Sequence, residues 1–495
     1  MIGIVGYGGY VPRLRLSRQA VVQANLWYAP QFARRKGHRA MANWDEDSIT
    51  MAVAAARDCL GPDDEKRRAI RSVHLASDTL PFAERLNAGV VCEALTLDED
   101  VEARDVTGTP RAALTCLGDA VARVRAFGGD AVVLAADNRK TRAASSQELD
   151  FGDGAAAIRI GTEDVIAAFL GKGTVSVDFV DHFRLAGEDI DYHWEERWVR
   201  DEGIAKLVPR AVAAALGESG VAAEEVTRFI FPSTFARMAE QVAETCGIRP
   251  DAVVDVLENE IGETGAAHGL LLLAQTLENA RPGEVIVIAQ FGAGAEAVVL
   301  RVTEAVSRFR PRIGVSGWIA RGVEETNYTK FLSFKGQLRL ERGMRGEQDK
   351  KTALSTAYRH RKAILGLVGG RCEVTGKVYF PPSRLSIDGG GTVKDTQKPY
   401  KLAERRGRVL SWSAEQLSFH MSPPHHYGQI DFDGGGRILM EFSDIAPGDV
   451  EVGTEVEMVF RIKDFDERRG FLRYFWKATP VRGVASAPAS QSGSE

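Results

Sequence analysis

The chain has 495 residues, 44% hydrophobic and 26% charged, with 63 basic against 68 acidic side chains and a net charge of -5. That length exceeds one ordinary core, so two or three soluble domains are expected. The charge balance gives no footing for a nucleic-acid partner. No apolar run reaches the roughly 18 residues of a membrane span, and five scattered cysteines without a CxxC pair fit a reduced, cytoplasmic setting better than a disulfide framework.

The N-terminus, MIGIVGYGGYVP, lacks a basic n-region and a cleavage site and reads as a strand entering a turn. Its GYGG lacks the spacing of a dinucleotide loop. Residues 45–60 (DEDSITMAVAAARDCL) read as a helix with acidic residues at its positive end and an apolar face beyond. An internal echo follows. An amphipathic stretch at 111–127 leads to GDAVVLAAD (129–137) and FGDGAAAIRI (151–160); another at 265–280 leads to GEVIVIAQ (283–290) and FGAGAEAVVL (291–300). Each copy is a helix, a strand buried on both faces and a strand opened by Phe-Gly-x-Gly-Ala, so two related halves in a layered α/β architecture are expected. Between them, 205–216 and 236–246 read as helices, the first interrupted by Pro209. Residues 347–363 form a polar helical connector, and short alternating strands at 408–412, 428–433, 437–443, 454–463 and 471–477 predict a small closed barrel. Residues 481–495, rich in Ser, Ala, Gly and Pro, are expected to be disordered.

Six blocks, GYGGYVPRLRLSR, DEDSITMAVAAARDCL, LASDTLPF, FGDGAAA, IGETGAAHGLLLLAQTLE and FGAGA, together resemble the hydroxymethylglutaryl-CoA synthase branch of the thiolase superfamily, in that family's order. The remainder, from ILGLVGGRCEVTGKVYFPP to FRIKDFDERRGFLRYFWKATP, resembles acyl-CoA-associated oligonucleotide/oligosaccharide-binding (OB) fold proteins, which often partner thiolases as separate chains and carry a zinc ribbon ahead of the barrel. The resemblance implies a duplicated, five-layer α/β/α/β/α thiolase fold followed by an all-β OB barrel. The expected boundaries are 1–165 and 166–345 for the two halves, 346–400 for a connector with a degenerate ribbon, 401–480 for the barrel and 481–495 for the tail. It implies coenzyme A, as an acyl-CoA substrate, and a homodimer or a heteromer with a thiolase, with neither nucleic acid nor membrane as partner.

The same resemblance implies a cysteine at a helix N-terminus, where dipole and backbone N–H groups lower the thiol pKa. A histidine and an asparagine polarise the thioester oxygen, and a glutamate serves as acid and base. Carried over residue by residue, the cysteine position falls at Pro110 in DVTGTPRAALTCL, or at Asp105 or Thr107 if the loop is gapped; none is a thiol. Cys116, further along the helix, is either a buried structural thiol or a displaced nucleophile. The histidine position, in RFIFPSTFARMAE, holds Pro232 and Ser233. Arg237 is either the counterpart of a lysine near the CoA phosphates or a surface arginine. Asp78 matches the glutamate, one methylene shorter, as an acid/base or as a cap on the turn before Pro81. Glu263 holds the asparagine position, and His268 beside it either polarises a carbonyl or is a satisfied histidine at a helix start. Asp153 holds its turn. In the ribbon only Cys372 is a potential ligand, so no metal is expected.

Asp78, Glu263 and His268 are thus the candidate catalytic residues, Pro110 the lost nucleophile position and Arg237 the candidate CoA contact. Two readings stand: an enzyme forming or cleaving a C–C bond beside a CoA thioester, of aldol, retro-aldol or Claisen type, without a cysteine nucleophile; or a non-catalytic structural or channelling subunit of a heteromeric thiolase complex.

Overall fold

The computed structural model describes residues 1–342, 351–388 and 390–483. Its centre is a nine-stranded mixed sheet. The strands are β1 (Gly3–Tyr10), β2 (Ile70–Ala76), β3 (Glu102–Val106), β4 (Asp130–Asp137), β5 (Gly154–Gly161), β6 (Ala167–Ser176), β7 (Arg228–Ile230), β8 (Val285–Phe291) and β9 (Gly294–Val302). They are ordered β7-β8-β9-β6-β1-β5-β4-β2-β3. Counted outward from the middle, β1-β5-β4-β2-β3 repeats as β6-β9-β8-β7, and a bridge from Phe229 to Val253 takes the place of the fifth strand. The halves are joined in the sheet only where Gly3 and Ile4 pair with Ala168 and Ala167. The echo in the sequence is this duplication.

Four helices complete the layers: α1 (Ser48–Leu60), α2 (Ala112–Phe127), α3 (Ala205–Ser219) and α4 (His268–Glu278). Strand alternation assigns each sheet two buried faces. Val132, Leu134 and Ala136 of β4 pack with α1, whereas Ala131, Val133 and Ala135 pack with α2 and α4. In the second half Ile286 and Ile288 of β8 face the same central helices, and Val285, Val287 and Ala289 face α3. The result is α1, sheet, α2 with α4, sheet, α3. Gly8 shows how tightly these layers press: a Cβ there would lie 2.4 Å from the backbone nitrogen of Cys59 in α1. Helix α3 runs unbroken through Pro209, contrary to the interruption expected; a π-helical turn, Val199–Ile204, precedes it.

After two short helices (Leu354–Arg359 and Arg361–Ile364), the strands Val368–Cys372, Val378–Tyr379 and Gln397–Lys401 form a small sheet beside the hairpin Leu385–Asp388 and Gly391–Lys394. The Cys372 sulfur has the Thr396 hydroxyl at 3.1 Å and the Thr375 backbone N–H at 3.3 Å. Among the described residues no group of three or more His, Cys, Asp or Glu stands where it could hold a metal ion. Residues 343–350 of the expected connector and 484–495 of the expected tail lie outside the described residues. The barrel is β10 (Gly407–Glu415), β11 (His425–Phe432), β12 (Arg437–Glu441), β13 (Glu455–Asp466) and β14 (Phe471–Pro480), in the order β12-β11-β10-β13-β14, with a bridge from Phe442 to Ala478 drawing its ends together. No described helix is long and apolar enough to cross a membrane.

The acidic start of α1 has a use that its sequence does not reveal. Asp47 caps the helix by accepting from the Thr50 N–H at 2.9 Å. Its other oxygen accepts from the Tyr474 hydroxyl of the barrel at 2.6 Å. Asp45 takes Lys477 at 3.0 Å and Ser443 at 2.9 Å, and Glu46 takes Arg461 at 3.1 Å. A second charged contact lies further along α1, where Glu404 meets Arg57 at 3.0 Å and Arg67 at 2.6 Å. Trp476 packs under Arg57, 5.0 Å from ring centre to guanidinium carbon. The barrel is therefore locked to the layered domain through buried, paired charges.

Burial would raise the Glu404 pKa, but Arg57 and Arg67 outweigh it and hold the group at about 2. A depressed folded-state pKa gives stability that is full above the ordinary value of 4.5 and lost as pH falls towards 2. Glu404→Gln is expected to cost about 3 kcal/mol by leaving two guanidinium groups without their carboxylate. Its melting temperature should also fall less steeply with acid than the parent's over that window. Thermal melts from pH 7 to 2.5 check this, and superimposable curves contradict it.

Candidate active site

Loops from both halves meet at a cavity of about 170 Å³. Pro110, at the head of α2, forms part of its wall, as do Pro232, Ser233 and Glu263. Three positions assigned separately from the sequence (the cysteine, histidine and asparagine places) therefore face one space. Apolar walls come from Phe231, Phe235, Phe291, Val199 and Ile204.

Glu263 is set by its backbone first. The FGDG turn presses so close that a Cβ on Gly152 would be 1.9 Å from the Ile261 carbonyl oxygen. The Gly152 N–H donates to the Glu263 carbonyl and the Glu263 N–H to the Asp150 carbonyl, each at 2.8 Å. The carboxylate accepts from the Gly265 N–H at 2.8 Å and pairs with Arg139, which also donates to the Glu263 carbonyl at 3.0 Å. Burial acts to raise the Glu263 pKa; the Arg139 charge outweighs it, so the group stays below the usual range and ionised. Arg139 lies over Phe151, 3.5 Å from its ring centre.

Asp78 follows β2 behind the Pro110 loop rather than in the cavity wall. One oxygen accepts from the Gly108 N–H at 2.9 Å. Burial raises its pKa, with Asp191 adding to the effect and Gly108, His182 and Arg139 opposing it. Asp137, fully buried next to it, accepts from Ser77, Thr79 and the Asp78 N–H at 2.9 Å and from the Ala266 N–H at 2.7 Å. Burial and then the Asp78 charge push the Asp137 pKa up, so these two carboxyls do not both ionise readily.

His268 does not join the cavity. Its Nε2 is 3.0 Å from the Val256 carbonyl oxygen and its Nδ1 3.2 Å from the Thr264 hydroxyl, so both ring nitrogens are engaged in holding the start of α4. Burial lowers its pKa and keeps it neutral. Arg237 is exposed, with a left-handed backbone, two residues beyond the wall residue Phe235. Cys116 is fully buried among α2 core residues, and burial, then the Asp119 charge, push its thiol to about 12. Asp153 holds Lys335 at 2.7 Å and the Ala42 N–H at 2.7 Å, a structural use.

Four side chains in the wall escaped the sequence reading. His182 and His193 pair across a two-stranded ribbon (His182–Phe183 with Tyr192–His193), so both rings leave the same side, towards the cavity. The His182 Nδ1 is 2.7 Å from Asp181, which also lines the cavity. Among the described residues its Nε2 makes no hydrogen bond. Burial would lower the His182 pKa, but Asp181 and Asp191 outweigh it and raise it. Gln290, at the end of β8, is 2% exposed, lines the cavity and has an amide oxygen without a partner among the described residues. The available signal was local: two of nine histidines stand eleven residues apart with Asp178, Asp181, Asp189 and Asp191 between or beside them, in a long excursion between β6 and α3.

Comparison with known proteins agrees with this layout. Residues 216–302 match the family model of the 3-oxoacyl-[acyl-carrier-protein] synthase III C-terminal domain, and residues 400–461 that of the ChsH2 C-terminal OB-fold domain. The chain is 25% identical over 351 residues to a hydroxymethylglutaryl-CoA synthase of Methanocaldococcus jannaschii, covering 69% of this chain and 100% of that one. It is 27% identical over 315 residues to the Pyrococcus horikoshii enzyme of that name, covering 62% and 89%. Among solved structures, the curacin biosynthetic HMG synthase superposes with a TM-score of 0.59 at 17% identity, over 81% of this chain and 99% of that one. An HMG-CoA synthase complexed with CoA gives 0.57 at 16%, over 71% and 95%.

With Pro110 in the wall and Cys116 sealed in the core, incubation with acetyl-CoA is expected to leave the intact mass of the protein unchanged. An acetyl adduct mapped to Cys116 contradicts the placement.

Proposed function

The chain is a thiolase-superfamily protein, hydroxymethylglutaryl-CoA synthase-like, with an OB-fold barrel fused behind it, and from that premise we propose that it forms or cleaves a C–C bond beside an acyl-CoA carbonyl by acid–base chemistry alone. The observation that carries the reading is the wall of the cavity. Pro110, the place that the resemblance gives to the nucleophile, stands in that wall, and the His182–Asp181 pair, the ionised Glu263 and the Gln290 amide face the same space.

In the cleavage direction His182 takes a proton from the hydroxyl on Cβ of a 3-hydroxyacyl thioester through its Nε2. The O–H electron pair becomes the second bond of a new carbonyl on Cβ. The Cα–Cβ bond breaks, its electrons pass to Cα and the thioester oxygen as an enolate, and a proton returned to Cα completes a shorter acyl-CoA. Addition runs the same steps backwards. No bond to the enzyme forms, so a thiol is unnecessary. The Gln290 amide donates to the enolate oxygen through its NH2 end, not through the unpartnered oxygen, and the positive end of α2 at Pro110 favours the same negative charge. Asp181 holds the imidazole in one orientation and favours its protonated form; the Asp78 and Asp137 carboxyls behind it hold a proton in reserve. CoA is the implied carrier of the acyl group, with Arg237 at the rim as its candidate phosphate contact. Standing for the alternative of a structural or channelling subunit is one outcome of the test, activity only in the presence of a cysteine-bearing thiolase.

Purified protein offered a panel of 3-hydroxyacyl-CoA thioesters, or acyl-CoA with aldehydes and ketones, is expected to turn over without a partner. His182→Ala should lower kcat/KM by about 10²–10⁴-fold, as for loss of a general base, and Gln290→Met by about 10²-fold. Because the base works unprotonated, the rate should rise with pH through a His182 pKa above the ordinary 6.5. Asp181→Asn removes a group that raises that pKa, so the rising limb should move to lower pH. A limb unmoved in Asp181→Asn, or full activity in His182→Ala, contradicts the assignment.

A further inference from the structure

The ribbon that brings His182 and His193 to the cavity has another side. Phe183 and Tyr192 pair across it, ring centres 5.2 Å apart, and lie on the face opposite the histidines. They are 48% and 55% exposed. Trp194, with its ring 6.5 Å from Tyr192, is 51% exposed and also lines the cavity, so it stands at the mouth. Leu185, at the turn of the ribbon, is exposed as well. On the flank, Phe179 stacks on the exposed Trp198 at 6.0 Å and meets Phe291 edge-on at 5.8 Å. Phe291 is again cavity wall. Trp194 and Phe291, which line the cavity, thus lead to a collar of two sets of aromatic side chains that reach solvent, Tyr192 with Phe183 and Phe179 with Trp198. A soluble protein rarely leaves so many large apolar side chains together in water unless they meet a ligand or a partner.

We infer that this collar receives the acyl group, and that the substrate is a thioester of a hydrophobic acyl chain longer than the four-carbon acyl of butyryl-CoA. Continuity decides between a substrate and a protein partner. A docking patch for a protein would end at the rim, whereas here Trp194 and Phe291 belong to both surfaces. The cavity of about 170 Å³ is below the roughly 300–1,000 Å³ of pockets that enclose a drug-sized ligand, so a long chain that starts at the chemistry must emerge along the aromatic face. Aromatic faces suit this use because they offer large, stiff contact area with little side-chain entropy to lose.

The inference rests on the acyl-thioester reading and refines it, and binding separates the two without requiring turnover. The measurement is calorimetric titration of the full chain with CoA, butyryl-CoA, octanoyl-CoA and lauroyl-CoA, each below its micelle concentration. Each methylene taken from water onto the collar should tighten binding by up to about fourfold, so octanoyl-CoA is expected to bind at least about tenfold tighter than butyryl-CoA. The double variant Phe183→Ser/Tyr192→Ser, altered only on the exposed face, should lose most of that gain while still binding CoA. Binding that is equal for CoA, butyryl-CoA and octanoyl-CoA overturns the collar assignment and leaves the thioester reading standing. So does a chain-length gain that the double variant keeps in full. No binding of any of the four compounds overturns both.

Discussion

The buried pair of Arg139 and Glu263 crosses from one half of the duplication to the other, and the geometry of the cavity hangs on it. Arg139 follows β4 of the first half; Glu263 lies in the loop that leads to α4 of the second. Their approach is fixed from several sides. Lys335 holds the Arg139 carbonyl at 3.3 Å and Asp153 at 2.7 Å, and the FGDG turn binds the Glu263 backbone. Neither charge is tolerable alone at this depth, since an unpaired buried ion costs several kcal/mol. The pair therefore keeps a carboxylate ionised in the cavity wall, and it ties the two halves of the duplication together there.

Against that frame the proline at the head of α2 is a chemical statement. Pro110 takes the second place of the turn that leads into α2, closed by the Ala112 N–H donating to the Thr109 carbonyl at 3.0 Å, where the fixed φ of proline fits. The entry to α2 is thereby kept in shape, and no thiol stands at that place. What remains is an anion-favouring helix end, an imidazole held by a carboxylate, and an unpartnered amide. Such groups move protons and stabilise an enolate. They do not store an acyl group.

The fold was legible because its signals are local. Alternation within β4 and β8 and the paired Phe-Gly-x-Gly-Ala blocks encode buried strands and close turns, and their repetition encodes the duplication. Asp45 and Glu46 stand at the N-terminal end of α1 as its sequence suggests, but their counter-charges, Lys477 and Arg461, are more than 400 residues away and were not legible from it. Within the site, the family pattern located Pro110, Pro232 and Glu263 on one cavity, since loops at strand ends keep their place when side chains change. It could not supply His182, Asp181 and Gln290. The first two enter from an excursion whose path depends on a two-residue ribbon, and the third becomes notable only once its amide is seen buried without a partner. His268, attractive beside Glu263 in sequence, turns away because its ring nitrogens are taken up by the Val256 carbonyl and the Thr264 hydroxyl.

The barrel, locked to α1 by Arg461, Lys477, Tyr474 and Glu404, also bears on the site. Ser48, next to the Asp47 cap, is 2.8 Å from the Thr79 hydroxyl, which donates to Asp137 at 2.9 Å. The helix start that holds the barrel thus lies next in sequence to a hydrogen-bonded chain that ends on Asp137. The central claim, proton chemistry beside a thioester with no covalent step, is tested most directly by isotope exchange. Octanoyl-CoA incubated with the protein in heavy water is predicted to take up deuterium at Cα while the protein gains no acyl mass, and His182→Ala to abolish the uptake. A recovered thioester free of deuterium, together with acylated protein, would contradict it.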